Sequence, residues 1–336
     1  MRKAIITDTT LRDGSHSVSH QYTLEEMKSI AKALESSGVD IIELGHGDGL
    51  TGSTINYGFS LHSDYEYIEA VASVLTKAKL AVLLIPGIGT IEHLKKAKEL
   101  GAEVVRVATH VTEADVSEQH IKAAKEMGMF TVGFLMMAHM ASKEVILQEA
   151  KKMVSYGADV IYMTDSSGAM LPDQVYENIK YLKENLDVPL GHHSHNNIGM
   201  AVANSLNAYK AGADYIDGSL IGLGAGAGNC PTEMFIAVLE KLKIQSNVDL
   251  YKIIDAGDDV LKPIILGKGR ELPRFNSDSL IIGYAGVYSS FMLHAKNASK
   301  RFGVDTRDIL IELGKRKAVG GQEDWIVEVA YNLSQK

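Results

Sequence analysis

Residues 156–163 read YGADVIYM: a glycine, a small residue, an acid, then an apolar run. The same order recurs as SGVDIIE at 37–43, LGAEVVRV at 100–107 and AGADYID at 211–217. A glycine can adopt the left-handed conformation that ends a helix, and the apolar run behind it suits a strand. Each segment therefore reads as a tight helix-to-strand connection. The four glycines, Gly38, Gly101, Gly157 and Gly212, lie 63, 56 and 55 residues apart. That is room for two strand–helix units per interval.

Outward from these segments, short apolar runs occur at 4–7, 40–44, 80–85, 104–107, 131–135, 160–163, 189–193 and 215–217. Most are continuous rather than alternating, as expected of parallel strands covered by helices. Helices are legible between them. Thr23, followed by Glu25 and Glu26, opens one running to Ser36; Thr90 starts another ending at Leu100; Ser142 caps one reaching Ser155; Pro172 suits the first turn of one running to Asn185. Eight such units by residue 243 predict an α/β fold, a closed (β/α)8 TIM barrel, over a doubly wound open sheet. The rhythm then changes. Residues 250–265, 279–301, 306–314 and 322–334 read as helices, the second as one long helix. The expected division is a catalytic barrel over 1–248 and a C-terminal α-helical extension over 249–336.

The chain has 336 residues, 46% of them hydrophobic and 23% charged, enough for one large core and a smaller appendage. Its formal charge is -8, from 34 basic and 42 acidic residues, with no basic block. Nucleic acid is therefore not an expected partner. The opening MRKAIITDTTLRDG lacks the apolar segment and cleavage site of a signal peptide, and no long apolar run suits a membrane span. One cysteine, Cys230, excludes an intrachain disulfide and a cysteine-rich zinc site. The expected compartment is the cytoplasm.

Polar groups gather at the ends of the expected strands, where barrel active sites lie. DTTLRDGSH, residues 8–16, places Arg12, Asp13 and His16 in one turn. A carboxylate holds metals, an arginine stabilises charge developing on oxygen, and a histidine moves protons at neutral pH. In GHHSHNN, residues 191–197, His193 and His195 share a strand face while His192 and Ser194 point elsewhere. Two histidines in register with a carboxylate from another strand make a 2-His-1-carboxylate site, suited to Mn²⁺, Fe²⁺, Co²⁺ or Zn²⁺. IGLGAGAGNCPTE, residues 221–233, has four glycines in seven residues and is read as a cradle for an anion or as tight loop packing. It is neither a Walker motif nor a dinucleotide fingerprint. Glu43, His46, Asp165, Ser166, Ser167 and Asp217 are weaker candidates. Arg106 is equally well read as a structural ion pair. Cys230, Met136, Met137 and Met140 are simplest as packing residues.

A metal with open positions, an arginine and a histidine in one basin suit enolate chemistry on a 2-keto acid, a small-molecule substrate. No expected strand carries an interior lysine, which disfavours a Schiff base.

The segments DTTLRDGSH, ELGHGDGLTGSTINYGFS, LLIPGIGT, TDSSGAM, HHSHNNIGMAVANS, DGSLIGLGAGAGNCPTE, GYAGVYSSF and GGQEDW resemble the 4-hydroxy-2-oxovalerate aldolases, over residues 7–328. DTTLRDG alone is shared with a wider metallolyase superfamily that includes isopropylmalate synthase and hydroxymethylglutaryl-CoA lyase. The resemblance implies retro-aldol cleavage of 4-hydroxy-2-oxopentanoate to pyruvate and acetaldehyde in a meta-cleavage pathway, with Mn²⁺ preferred and Co²⁺ or Mg²⁺ as substitutes. It implies that Asp13, His193 and His195 ligate the metal, that Arg12 stabilises the enolate, that His16 is the base, and that Tyr284 shapes the site. It also implies an acylating acetaldehyde dehydrogenase partner, in a heterotetramer of two aldolase and two dehydrogenase chains. The helical extension would supply the contact, with Gly320 and Gly321 near a tunnel mouth. The chain departs from the family at Asn196, where a further histidine is usual, and at Ser15, where methionine is common. The alternatives are a Claisen-type enzyme condensing an acyl-CoA with a 2-keto acid, an aldolase acting on a different aldehyde, and a non-catalytic scaffold.

Overall fold

The computed structural model describes residues 2–274 and 276–335. Eight parallel strands close into a barrel in chain order. They are β1 (Ile5–Leu11), β2 (Ile41–Leu44), β3 (Lys79–Leu84), β4 (Val104–His110), β5 (Phe130–Met136), β6 (Val160–Asp165), β7 (Leu190–Ser194) and β8 (Tyr215–Gly218). Closure is made by β1 against β8, with Ile5 opposite Tyr215 and Asp8 opposite Gly218. The outer helices are α1 (Leu24–Ser37), α2 (Asp64–Ala72), α3 (Ile91–Glu99), α4 (Glu118–Glu126), α5 (Lys143–Tyr156), α6 (Pro172–Asn185), α7 (Ala201–Ala211) and α8 (Thr232–Lys241).

The local signals act as expected. Thr23 accepts from the Glu26 amide while Glu26 reaches back to the Thr23 amide, a reciprocal cap on α1. Gly38 ends that helix at φ +92°, and a Cβ there would sit 2.2 Å from the Asn247 carbonyl oxygen. Here glycine is needed for both conformation and space. The TIM barrel expected from the rhythm is the fold observed.

Side-chain alternation along the strands sorts the barrel interior into levels. Ile41, Val104, Val132 and Val160 form an apolar level with Phe134 and Tyr162 above it. Two residues further along their strands stand Glu43 and Arg106, while β7 and β8 add His193 and Asp217. The interior thus changes from oily to charged toward the C-terminal mouth.

Several strands outrun their apolar runs. β1 continues through Asp8, Thr9 and Thr10, polar residues beyond the apolar run at 4–7. These polar side chains are buried but partnered: Asp8 accepts from the Thr10 amide and the Thr232 hydroxyl. Sheet hydrogen bonding carries the strand on after hydrophobicity stops.

After α8 come α9 (Leu250–Asp255), a π-helical turn (Ala256–Leu261) and α10 (Lys262–Gly267). Ile253, Ala256, Leu261 and Ile265 join the barrel's core. A second core is built by α11 (Ser277–Ala285), α12 (Phe291–Phe302), α13 (Thr306–Lys315) and α14 (Asp324–Ser334), around Phe291, Leu310, Leu313 and Val329. The single helix expected over 279–301 is two helices. Gly286 turns left-handed at φ +68° and receives the cap of α11. No helix among the described residues is long and apolar enough to cross a membrane.

Candidate active site

The loop after β1 begins with Arg12 and continues as a short 3-10 turn, Asp13–Val18. Asp13 comes to the barrel mouth there. His193 lies on β7, and His195 follows one residue past its end, paired to Asn229 in an isolated antiparallel bridge. One donor atom each from Asp13, His193 and His195 falls within 4.8 Å of the others, and all three residues are buried. The side chains that the resemblance assigns to one metal do converge.

Their protonation suits that role. Burial works against charge on Asp13, but the Arg12 guanidinium, with His195, His16 and His193, outweighs it and holds the carboxyl well below its usual range. Burial pushes His195 down to about 4, so its ring is neutral near pH 7. The Nδ1 of His193 donates to Asp217 Oδ2 at 2.8 Å, which leaves Nε2 as the ring nitrogen available to a metal. One ionised carboxylate, the neutral His195 ring and the free Nε2 edge of His193 are a donor set that fits a divalent cation.

Arg12 is fixed rather than free. Its Nε donates to Glu43 at 2.8 Å and its Nη1 to Asp13 at 2.8 Å. Among the described residues its Nη2 makes no hydrogen bond, so that donor is free to meet a substrate oxygen. His16 stands beside it. A Cβ on Gly47 would lie 2.3 Å from His16 Nε2, and the Gly47 carbonyl also faces Arg12 Nη1 at 3.4 Å. Gly47 therefore lets the His16 ring lie close to the arginine.

His16 also belongs to a second group, with His20 and Asp48, one donor atom of each lying within 4.8 Å of the others. The nitrogens of His20 are already engaged. Nδ1 pairs with the Ser15 hydroxyl at 3.0 Å, and the Tyr57 backbone bonds the ring. His20 stacks on His46 at 3.7 Å and meets His16 edge-on at 4.9 Å. This stack is a wall for His16 rather than a second ligand set.

Tyr284 stands apart from the convergent group. It lies on α11 and is 73% exposed. Its neighbour Gly283 packs on the β7 loop, where a Cβ would sit 2.6 Å from Asn197 Cβ. His192 points away from the ligands and pairs with the Met163 carbonyl. Cys230 is buried, its thiol pushed up to about 12 by desolvation. Asp165 accepts the Ala169 and Met170 amides as a loop anchor.

The glycine-rich loop does approach an anion, but the anion is the protein's own Asp13. Asn229 Nδ2 donates to Asp13 Oδ2 at 2.6 Å, and the Ala225 amide lies 3.4 Å from the same oxygen. A Cβ on Gly224 would sit 2.7 Å from that oxygen. Sequence reading missed Asn229 as a site residue. Its place at the end of the glycine run, in the strand-like bridge to His195, was the available signal.

Comparison with known proteins follows the same lines. The HMGL-like family matches residues 3–260, and the DmpG-like communication domain matches residues 273–335. The chain is 58% identical over 330 residues to a 4-hydroxy-2-oxovalerate aldolase of Pelotomaculum thermopropionicum, covering 98% of this chain and 96% of that one. It is 56% identical over 331 residues to the protein of that name from Geobacillus thermodenitrificans, with coverage of 98% and 96%. Among solved structures, the carboxyl transferase domain of Rhizobium etli pyruvate carboxylase with pyruvate superposes with a TM-score of 0.80 at 16% identity, covering 100% of this chain and 61% of that one. At that identity the likeness speaks for the fold alone.

Proposed function

Because the chain belongs to the 4-hydroxy-2-oxovalerate aldolase family, within the HMGL-like proteins, we propose that it cleaves 4-hydroxy-2-oxopentanoate to pyruvate and acetaldehyde. The observation that carries this reading is the convergence of Asp13, His193 and His195 beside Arg12. A divalent cation held by these three, Mn²⁺ in our reading with Co²⁺ or Mg²⁺ as substitutes, would supply Lewis-acid polarisation of the substrate's 2-keto oxygen.

The remaining work falls to the chain's own groups. Arg12 Nη2 donates to the oxygen that gains negative charge as the carbon–carbon bond breaks. His16 accepts the proton of the 4-hydroxyl, whose oxygen becomes the aldehyde carbonyl. The His20–His46 stack backs the His16 ring and limits its rotation. Tyr284 would shape the site from α11, whose Gly283 packs on the β7 loop. The barrel, residues 1–248, carries catalysis. Within the extension, residues 249–336, the part from α11 onward, which has its own core, docks an acylating acetaldehyde dehydrogenase in a two-plus-two assembly, with Gly320 and Gly321 at the route between the enzymes. The match to a communication domain over 273–335 supports that role.

Pyruvate release from 4-hydroxy-2-oxopentanoate, with chelator and after added Mn²⁺, tests the proposal. Activity abolished by chelator and restored by Mn²⁺ is expected. Pyruvate release that ignores both would end the reading, and turnover of acetyl-CoA with a keto acid would favour the Claisen alternative.

A further inference from the structure

Beneath the proposed metal ligands lies a buried row of charges. Arg106, on β4, is 1% exposed. Its Nη2 meets Asp217 Oδ2 at 2.5 Å, and its Nη1 lies 3.2 Å from Glu43 Oε2. Glu43 Oε2 is also the atom that receives Arg12 Nε, and Asp217 Oδ2 is also the atom that receives His193 Nδ1. The order of contact is Asp13, Arg12, Glu43, Arg106, Asp217, His193, acid and base alternating along the row. Both ends of the row, Asp13 and His193, belong to the same ligand triad.

The protein invests structure in holding Arg106 there. Its guanidinium lies over two neighbouring aromatic rings, 4.5 Å from the Phe134 centroid and 4.5 Å from the Tyr162 centroid. Ring faces attract a cation, more so when water is excluded. Tyr162 fits only because Gly191 has no side chain: a Cβ there would be 2.1 Å from the ring. The row holds three carboxylates against two guanidiniums, Asp13, Glu43 and Asp217 against Arg12 and Arg106. The row therefore has one more carboxylate than guanidiniums, an excess that a divalent cation at the triad would offset. A simple structural ion pair needs one carboxylate. Arg106 takes two, Asp217 by a hydrogen bond and Glu43 by an ion-pair contact without one, each of them holding a different site residue.

We propose that Arg106 is a positioning residue for the reaction, clamping Asp217 and Glu43 so that His193 presents Nε2 to the metal while Arg12 is held against Asp13. This rests on the metal-site reading above. A planar fork can hold both carboxylates at once, whereas a lysine ammonium is a single point charge. Loss of the clamp frees Asp217 to rotate away from His193 and Glu43 to pull Arg12 off Asp13.

The test is a Mn²⁺ titration of the metal-stripped, full-length chain followed by EPR, with steady-state kinetics at saturating Mn²⁺. The variants are R106M, R106K, D217N and R106K/D217N. H195A is the control for the triad: parental tight binding that disappears in H195A upholds the metal site independently of Arg106. Both Arg106 variants are expected to weaken Mn²⁺ by about tenfold or more, in line with partners that orient metal ligands. R106K should retain more affinity than R106M. kcat should fall more than KM changes, because Arg12 acts on the charge that develops as the bond breaks. The R106K/D217N loss should be less than the product of the two single losses, since both act through one contact. If R106M does not fold, R106K decides. Parental Mn²⁺ affinity and parental kcat in a folded R106K would reduce Arg106 to a charge that supports the fold, and the positioning role would be wrong.

Discussion

At the scale of the residue, Arg12 and Asp13 are adjacent in sequence and hydrogen-bonded in space, yet they serve different ends. Arg12→Ala removes a donor aimed at developing charge, a loss of about 3 kcal/mol or roughly 100-fold in kcat. Mn²⁺ should remain bound, because the donor atoms stay. Equilibrium metal content beside kcat checks both halves; an R12A enzyme with parental turnover would remove Arg12 from the chemistry. His16→Ala should likewise spare the metal while suppressing cleavage, and a variant that lost Mn²⁺ would make His16 a ligand. Gly224→Ala acts on Asp13 from the opposite side. The new methyl would fall 2.7 Å from Asp13 Oδ2, so the loop or the carboxylate must shift and Mn²⁺ affinity should drop. Unchanged affinity would mean that the loop yields without cost.

At the scale of the element, α8 and the glycine loop are tied by Glu233. Its two carboxylate oxygens accept the Ile221 amide at 2.8 and 3.0 Å, where Ile221 turns left-handed at φ +51°. Burial pushes this carboxyl from 4.5 up to about 7, with Asp8 and Asp258 adding repulsion. The folded value lies above the unfolded one. Its stabilising contribution is therefore full below about pH 4.5 and is lost as pH rises through about 7, a change on the order of 3 kcal/mol. Glu233→Gln keeps an acceptor for Ile221 and removes the titration. Urea unfolding at pH 5 and pH 8 should show the variant gaining on the parent at the higher pH. Parallel pH profiles would show that the carboxyl does not titrate in this range.

Element boundaries also show what hydrophobicity can and cannot reveal. The run at 4–7 was apolar, and β1 was expected to stop there. It continues to Leu11 because backbone pairing and partnered polar side chains, Asp8 with Thr232 among them, carry it into the charged mouth. The helix expected over 279–301 was broken by Gly286, whose left-handed turn competes with the helical run on either side. Signals local to one turn, such as the Thr23 cap, were legible. Polar strand ends were not, because their partners come from distant segments.

At the scale of the whole molecule, two apolar cores meet through a few polar contacts. Asn197 Nδ2 donates to the Ser279 carbonyl at 2.9 Å, and Lys317 Nζ donates to the Met140 carbonyl at 2.7 Å. The Gly286 carbonyl pairs with His139 Nε2 at 3.0 Å. Such a seam joins the parts without merging their cores. Leu310→Ala, in the middle of the second core, should cost about 2–5 kcal/mol there. Mn²⁺ affinity at the barrel should stay at its parental value. Calorimetry together with the EPR titration checks this, and loss of both would mean that the two cores unfold as one.

By itself the sequence determined the number of strand–helix units, their order, and the two short segments that bear the ligands. Those follow from local rules, helix caps, apolar runs and the period-two alternation that set His193 and His195 on one side. Only the tertiary structure decided which carboxylates Arg12 and Arg106 would hold, and that Asn229 would reach Asp13. Glu43, Arg106 and Asp217 are separated by 63 and 111 residues, and no local pattern links them. Closing the barrel brings them together, because charges excluded from water are stable only where opposite charges from other strands meet them.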